Sequence, residues 1–445
     1  MNSLSFSRKI LWCLFALSAC SVLQADLFEY LKKDTGAMRW TIVRDIELRN
    51  GCREVLINMS SQTWQNMEWK HKIRLFLPKN MAKTDIKTLL MVTSSFMEGA
   101  KNDEKAQEYG LKIVEQVDSP IAMLYDIPNQ PLFDGLNEDQ LLAESLERYS
   151  KTGDETWPII FPMVKSVVKA MDCISEFLAQ DAQLDCHQYV VTGASKRAWT
   201  TWFMPVIEPR VIAIVPMVYN NLNIERQLQH QLDSWGKYSE QISAYTDKNL
   251  PQKLKDKDPK IQALVKLIDP FVYHDQLKVP KLLVNATNDR FWTLDALNHY
   301  YDELPGQKYI YFAPNAEHNL QYGKDNTMST IAAFFKSVDG RLDFPEVTAT
   351  YAESEQQVVV NLNTTGEPWE VVLMRASANT RDFREAHWDE VLMHKKRNTY
   401  EMHVKKSEYT YSAMFCQAVY FENGSEFCLS SNIHIAMPSG NSKSP

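Results

Sequence analysis

Residues 187–203, with the sequence HQYVVTGASKRAWTTWF, are the most informative part of the chain. Its first six residues have the aromatic and β-branched character of a buried strand, and its last six are typical of a helix. Between them, Gly193 and Ala194 lead into Ser195. A serine on so sharp a strand-to-helix turn has its hydroxyl pushed out of the sheet, in the arrangement called a nucleophile elbow. Ser195 is therefore predicted to be a catalytic nucleophile.

The residues after Ser195 open the helix. Backbone N–H groups at a helix N-terminus stabilise a developing oxyanion, so the N–H of Lys196 is predicted to be one oxyanion donor. Arg197 stands where the general motif G-x-S-x-G has its second glycine. The two cationic side chains have two interpretations. They recognise an anionic substrate group, with Arg197 as a substrate-binding residue, or they pair with carboxylates on the same helix.

Strand-like and helix-like segments alternate from residue 26 to about residue 344. The strands are near-continuous apolar runs, which predicts an α/β domain with a mostly parallel sheet covered by helices on both faces. One helix is predicted over 162–179 from the spacing of its apolar residues. The further predicted strands are 72–78, 88–93, 121–125, 211–215, 281–285 and 308–312.

A serine nucleophile needs a base, and the base needs an orienting carboxylate. In the α/β-hydrolase fold these groups follow in the chain order serine, acid, histidine. Asp289 lies just after the strand 281–285 and is the predicted acid; its rival is Asp295, in a segment that looks like a helix start. His318 follows the last predicted strand and is the only histidine in such a place. Order and spacing therefore predict an α/β-hydrolase domain with a triad of Ser195, Asp289 and His318.

Two further groups belong to the predicted site. A second oxyanion donor is expected after the strand 88–93, from the backbone N–H of Ser94 or Ser95, although the H-G-G-G motif of lipases is absent there. Trp292, close to the predicted acid, is a candidate substrate-binding residue. The sequence contains neither C-x-x-C nor H-E-x-x-H, so it indicates no metal site and no cofactor.

Two segments depart from the alternating pattern. Residues 219–273 are long, polar and helix-prone, which predicts a lid-like insertion; an ordinary crossover helix with a loop is the alternative. Residues 345–438 show short alternating strands divided by turn residues, which predicts a C-terminal all-β sandwich domain, followed by a disordered tail over 439–445. Because the triad precedes residue 344, we expect the β domain to be separable from the chemistry across a modest, polar interface.

The first 25 residues resemble an export signal. Arg8 and Lys9 precede an apolar run that is too short to span a membrane. Cleavage after Ala25 would release the protein, whereas the lipobox-like LSAC would leave a lipid anchor on Cys20. The expected location is periplasmic or secreted, and membrane attachment is expected only through Cys20.

Composition narrows the remaining alternatives. The net charge of −8 gives no electrostatic reason to expect a nucleic-acid partner, so the expected partner is a small-molecule or peptide substrate. The oligomeric state stays open.

The cysteines have two interpretations. In an oxidising compartment the disulfide pairs would be the sequence neighbours Cys173 and Cys186, and Cys416 and Cys428. The alternative is that these four and Cys52 are buried thiols.

Several strings resemble the PhoPQ-activated pathogenicity-related proteins, which are exported α/β-hydrolase-like proteins of bacteria and some amoebae. That family carries Lys and Arg after the serine, so Arg197 departs from the general motif but not from this family. Ala198 and Glu317 stand where the family has glycines. The resemblance implies the fold more than it implies a substrate. The strings are SQTW (61–64), WKH (69–71), PNQPL (128–132), TGASKR (192–197), NATND (285–289) and PNAEH (314–318).

The sequence therefore favours an exported serine hydrolase, an esterase or a peptidase, that works through an acyl-enzyme. The alternative is a secreted binding or signalling protein on a hydrolase scaffold with little turnover. The complete order of serine, acid and histidine favours the enzyme, since an inactive scaffold does not need all three.

Overall fold

The computed structural model describes residues 27–81, 85–181, 183–422 and 424–441. The predicted export signal, including Cys20 and Ala25, lies outside the described residues. Of the tail that was expected to be disordered, Ser439–Asn441 form a short 3-10 helix, and the rest lies outside.

Nine strands form the main sheet. They are β1 (Arg39–Glu47), β2 (Arg53–Trp64), β3 (Met67–Leu77), β4 (Ile86–Val92), β5 (Ile121–Leu124), β6 (Cys186–Ala194), β7 (Val211–Met217), β8 (Lys281–Ala286) and β9 (Lys308–Ala313). Their order is β1-β2-β3-β5-β4-β6-β7-β8-β9. The ladders from β5 to β9 are parallel, while β1, β2 and β3 pair antiparallel with each other and β3 with β5. The exchange of β4 and β5 is the crossover of the α/β-hydrolase fold, which confirms the predicted fold class.

Helices cover both faces of this sheet. They are α1 (Leu27–Lys32), α2 (Ala100–Val117), α3 (Glu138–Thr152), α4 (Ile160–Asp181), α5 (Lys196–Ile207), α6 (Ile224–Trp235), α7 (Ser243–Thr246), α8 (Leu250–Lys255), α9 (Pro259–Ile268) and α10 (Lys324–Val338). Helices α4 and α5 belong to the apolar core of one face, and α2 and α10 to that of the other. Each face of the parallel strands is therefore buried, as their apolar runs require. Short 3-10 helices are Arg49–Gly51, Glu240–Ile242, Pro270–Gln276, Ala296–His299 and Tyr301–Glu303.

The segment 219–273 contains four helices, α6 to α9, which are called the insertion below. Asp269, which lies just after α9, binds the start of the insertion. The carboxylate of Asp269 accepts hydrogen bonds from the backbone N–H groups of Asn223 and Ile224, at 3.3 and 2.8 Å, and from that of Phe271 at 3.0 Å. The indole N–H of Trp199 donates to the carbonyl of Ile268 at 2.6 Å. The bonds of Asp269 hold the two ends of the insertion together, and the bond of Trp199 attaches the insertion to α5.

The C-terminal region forms two antiparallel sheets. Their strands are β10 (Val347–Glu353), β11 (Gln357–Thr364), β12 (Glu370–Ala378), β13 (Asp389–Leu392), β14 (Lys395–Lys396), β15 (Thr399–Lys405), β16 (Tyr411–Glu422), β17 (Ser425–Ser430) and β18 (His434–Ala436). One sheet has the order β10-β11-β15-β14; the other has the order β13-β12-β16-β17, with β18 on β16. Apolar residues of β11, β12 and β16 share one core, so the sheets pack as the predicted β-sandwich.

The interface between the sandwich and the hydrolase domain contains buried apolar contacts. Both core clusters contain residues of the two domains. The ring of Phe312 in β9 lies 5.4 Å from that of Phe415 in β16, and Phe344 stacks on Phe427 at 5.6 Å. The interface that was expected to be polar therefore also contains buried apolar contacts.

Two smaller expectations concern the whole chain. Cys52, Cys173, Cys186, Cys416 and Cys428 are all buried free thiols, which is the alternative to the two disulfide pairs. In the described part of the chain, the structure contains no helix with the length and apolar character needed to cross a membrane.

Candidate active site

Ser195 lies between the end of β6 and the start of α5, with φ +57° and ψ −126°. A positive φ is strained for a residue with a side chain, and such strain persists only where the surroundings fix it. The Ser195 N–H donates to the carbonyl of Met217 at 2.9 Å, and its own carbonyl accepts from the N–H of Trp199 at 3.1 Å. A Cβ on Gly193 would lie 2.8 Å from the carbonyl oxygen of Arg197, so only glycine fits there. The predicted elbow is thus present.

Asp289 and His318 meet in the loops after β8 and β9. His318 Nδ1 lies 2.8 Å from the Asp289 carboxylate, whose other oxygen accepts the N–H of Phe291 at 2.7 Å. The ring of Phe291 packs on that of His318 with 4.1 Å between centroids. A proton on Nδ1, donated to Asp289, leaves the lone pair on Nε2. Within the described residues that Nε2 is buried and has no hydrogen-bond partner, so it is available to accept a proton.

The rival acid, Asp295, is used elsewhere. One of its carboxylate oxygens lies 2.7 Å from His230 Nε2, and the other pairs with Arg381 at 2.5 Å. Asp295 therefore links the insertion to the β domain. The acid that the structure brings to His318 is Asp289.

The parallel strands bring these loops to one edge of the sheet. Ser195, Asp289 and His318 follow the carboxyl ends of β6, β8 and β9, which are held in one sheet with β7 between. Ligands of open α/β sheets bind outside the carboxyl ends of the strands. The acid and histidine loops are also bonded to each other, since the Asn288 N–H donates to the carbonyl of Ala316 at 3.0 Å.

The candidate oxyanion donors lie at the same edge. Ser94 and Ser95 follow β4, whose last residue is paired in register with Gly193, and both serines are exposed. The N–H of Phe96 is taken by the side chain of Asp126 at 3.0 Å, which leaves the two serine N–H groups as the candidates in this loop. Lys196 is the first residue of α5, where backbone N–H groups have no partner inside the helix.

The side chains of Lys196 and Arg197 are paired with carboxylates. Arg197 binds both oxygens of Glu138, at 2.7 and 2.6 Å, and Lys196 binds Glu138 and Asp139 at 2.9 and 3.1 Å. Burial raises the pKa of the Glu138 carboxyl, but Arg197 and Lys196 outweigh it and hold that pKa well below its usual range. Arg197 is only 6% exposed and its third bond goes to the carbonyl of Ile127. Its assignment to substrate binding is therefore corrected. The acids come from α3, not from the elbow helix.

A cavity opens beside Ser195, beneath the insertion. Its volume is about 120 Å³, several times what one ordered water requires. Ser195, Lys196 and Trp199 line it from α5, and Phe291 and Trp292 line it from the loop after β8. The structure thus brings Trp292 to the nucleophile, and the indole N–H of Trp292 is buried without a hydrogen-bond partner among the described residues.

A loop of the β domain, residues 379–388, contacts both catalytic loops and is called the bridging loop below. The side-chain amide of Asn288 donates to the carbonyls of Arg384 and Ala386 at 3.2 and 2.7 Å. Asn315 exchanges two hydrogen bonds with the backbone of Trp388, at 3.0 and 2.8 Å. Sequence reasoning did not assign Asn288 and Asn315 a role. The available signal was their position in the strings NATND and PNAEH, beside the acid and the histidine.

The topology and the elbow define an α/β-hydrolase. A family model described as "PhoPQ-activated pathogenicity-related protein" matches residues 27–384, and the chain belongs to that family. Autocrine proliferation repressor protein A of Dictyostelium discoideum is 29% identical over 402 residues, which cover 84% of this chain and 79% of that protein.

Solved structures with a similar fold include two esterases or hydrolases of low sequence identity. Acetyl xylan esterase 1 from a Thermoanaerobacterium species has a TM-score of 0.48 and 14% identity, covering 70% of this chain and 93% of that one. An S-formylglutathione hydrolase from Agrobacterium tumefaciens has a TM-score of 0.43 and 12% identity, covering 68% of this chain and all of that one, 100%.

Proposed function

We propose that this protein is a serine hydrolase that cleaves an ester or amide bond through Ser195, His318 and Asp289. The observation that carries the proposal is the His318 ring. It is fixed between the Asp289 carboxylate and the Phe291 ring, with its Nε2 unpartnered at the sheet edge that holds the strained Ser195. A carboxylate that orients the histidine and a free Nε2 are two of the parts that a catalytic triad requires.

The reaction would proceed in two halves. In the first, Ser195 Oγ attacks the substrate carbonyl carbon while His318 Nε2 takes the hydroxyl proton. Asp289 holds the ring in the required tautomer and stabilises the imidazolium. The N–H groups of Lys196 and of the Ser94–Ser95 loop stabilise the oxyanion. The tetrahedral intermediate then collapses, the leaving group takes the proton from His318, and an acyl-enzyme remains. In the second half, a water molecule attacks the acyl-enzyme by the same steps and regenerates Ser195.

Labelling with a fluorophosphonate tests this proposal directly. The probe bonds covalently to an activated serine, so the wild-type protein is expected to be labelled and the Ser195→Ala variant is not. The matched control is Ser354→Ala, an exposed serine of the β domain, which should label as the wild type does. A folded wild-type protein that remains unlabelled would refute the proposal.

A second function has support from one comparison. The relative from Dictyostelium discoideum is named an autocrine proliferation repressor, and this name favours a secreted signalling protein on a hydrolase scaffold. Folded but unlabelled wild-type protein would make this the better function.

Export belongs to the same proposal. We propose that the chain is exported, because residues 1–25 have the pattern of a signal and the family implies it. The mass of the mature N-terminus distinguishes cleavage after Ala25 from a lipid on Cys20.

A further inference from the structure

The cavity beside Ser195 is walled mainly by apolar side chains. The insertion contributes Leu228, Leu254, Ile261, Leu264 and Ile268, and all of these except Leu228 are buried. Transfer of a methylene group from water into such surroundings favours binding by about fourfold. An aliphatic chain of a substrate would therefore gain affinity with each carbon that entered the cavity.

The cavity presents no net charge to a substrate. The charged side chains in its lining, Asp139 and Lys196, pair with each other at 3.1 Å. The neighbouring Glu138 and Arg197 pair in the same network, so two carboxylates balance two cations. A charged substituent would lose its hydration without gaining an unpaired counter-ion. The lining therefore disfavours acidic and basic groups, whereas the polar atoms of Tyr219, Asn221 and Trp292, which have no partner among the described residues, allow a few hydrogen bonds to a neutral substrate.

The position of His318 indicates which part of the substrate would enter. In the proposed reaction the leaving group takes its proton from His318 Nε2, so it must face that ring. His318 does not belong to the cavity lining, whereas Ser195, Lys196 and Trp199 do. The other substituent of the carbonyl carbon, the acyl group, would therefore point from Ser195 into the cavity.

We infer that the substrate of this hydrolase is an ester of an aliphatic carboxylic acid of medium length, such as hexanoic or octanoic acid, whose chain lies beneath the insertion. The inference rests on the proposed function, since it takes Ser195 as the nucleophile. It adds the class of acyl group.

The test uses p-nitrophenyl esters, which keep the leaving group constant while the acyl chain varies. The series is acetate, butyrate, hexanoate, octanoate and decanoate, with the full-length protein. We expect kcat/KM to rise by about fourfold per methylene up to hexanoate or octanoate and then to level off. Fluorophosphonate labelling is measured in parallel, because it reports on Ser195 independently of the acyl chain.

Two variants of Leu264 tie the chain-length preference to the cavity. Leu264→Trp reduces the space and is expected to favour acetate, lowering octanoate turnover by about tenfold or more relative to acetate. Leu264→Ala enlarges the space and is expected to favour longer chains, so the test stands if the larger side chain prevents folding. The control is Val272→Trp, at a 52% exposed position outside the lining, which should leave the preference unchanged.

The outcomes separate the inference from the proposed function. If the probe labels Ser195 but acetate is cleaved as fast as octanoate, the acyl inference is wrong and the hydrolase remains. The inference is also wrong if chain length matters but both Leu264 variants keep the wild-type preference. If folded protein neither reacts with the probe nor cleaves any ester, the proposed function itself fails.

Discussion

Ser195 has a positive φ, which is strained for a residue with a side chain, and contacts with its neighbours hold it in this conformation. Its N–H and carbonyl are both bonded, to Met217 and Trp199, and Gly193 lets the first turn of α5 approach β6. Holding a non-glycine residue at positive φ costs on the order of 1–3 kcal/mol. This strain lowers the stability of the fold at one residue, and the same conformation exposes the Ser195 hydroxyl at the edge of the sheet.

The identity of the acid can be tested with a matched pair of variants. Asp289→Asn keeps the size of the side chain but removes the charge that stabilises the imidazolium of His318, so kcat should fall on the order of 10³-fold. Asp295→Asn changes a carboxylate that binds His230 and Arg381, so it should lower the melting temperature and keep kcat within a few-fold. Steady-state rates on an activated ester, together with thermal melts, make the measurement. The opposite ranking of the two variants would make Asp295 the acid.

The catalytic residues could be proposed from the sequence because the α/β-hydrolase fold fixes their order along the chain. Serine, acid and histidine follow the ends of β6, β8 and β9, and parallel strands bring those ends to one edge of the sheet, so Ser195, Asp289 and His318 were predicted as one group. The partner of Arg197 could not be predicted. Glu138 is remote in sequence, and only the packing of α3 against the start of α5 makes it the partner.

Among the elements, the parallel strands were predicted well and the first two strands were missed. The strands β4 to β9 are short apolar runs, but β2 buries polar side chains such as Glu54, Ser61 and Gln62. Their partners lie far along the chain, for example Arg74 at 2.6 Å from Glu54 and Ser166 at 2.9 Å from Ser61. A strand that buries polar side chains together with apolar ones gives no regular alternating apolar signal.

The hydrogen bonds of Asp269, which hold the two ends of the insertion together, give a pH-dependent prediction. Burial raises the pKa of Asp269 to about 6, against the opposing effect of its backbone N–H donors, from Ile224, Phe271 and Asn223. The unfolded chain loses this proton near pH 4 and the folded chain near pH 6, so between these values the group lowers stability as pH rises. Asp269→Asn has no proton to lose. Its free energy of unfolding is therefore expected to fall less than that of the wild type from about pH 4 to about pH 6.

Urea unfolding at several pH values measures this difference. The control variant is Asp258→Asn. Asp258 caps α9 at the protein surface, where its side chain accepts a hydrogen bond from the backbone N–H of Lys260. The control should keep the wild-type slope. Equal slopes for the wild type and Asp269→Asn would mean that Asp269 ionises normally in the folded protein.

For the whole molecule, the outer edge of the main sheet explains why the β domain is attached so closely. β9 is the last strand of that sheet, and an uncovered edge strand promotes aggregation. Ser430 and Gln417 of the β domain bond the N–H and carbonyl of Phe312 in β9, at 3.0 and 3.1 Å. The sequence showed that alternating strands and helices give way to short strands near residue 344. It could not show this interface, because the contacts join residues more than a hundred positions apart.

A chain that ends at Leu342 is therefore expected to lose fluorophosphonate labelling and cooperative melting together. The truncation exposes β9 and the apolar surface around Phe312, and it removes the bridging loop from the acid and histidine loops. In the full-length chain, Asn315→Ala breaks only the two bonds to Trp388, and it should melt cooperatively while labelling more slowly than the wild type. Asn432→Ala, which changes an asparagine of the β domain outside the bridging loop, should label normally. A truncated chain that melts cooperatively and labels at the wild-type rate would show that the hydrolase domain folds and works alone, and that the bridging loop only packs against it.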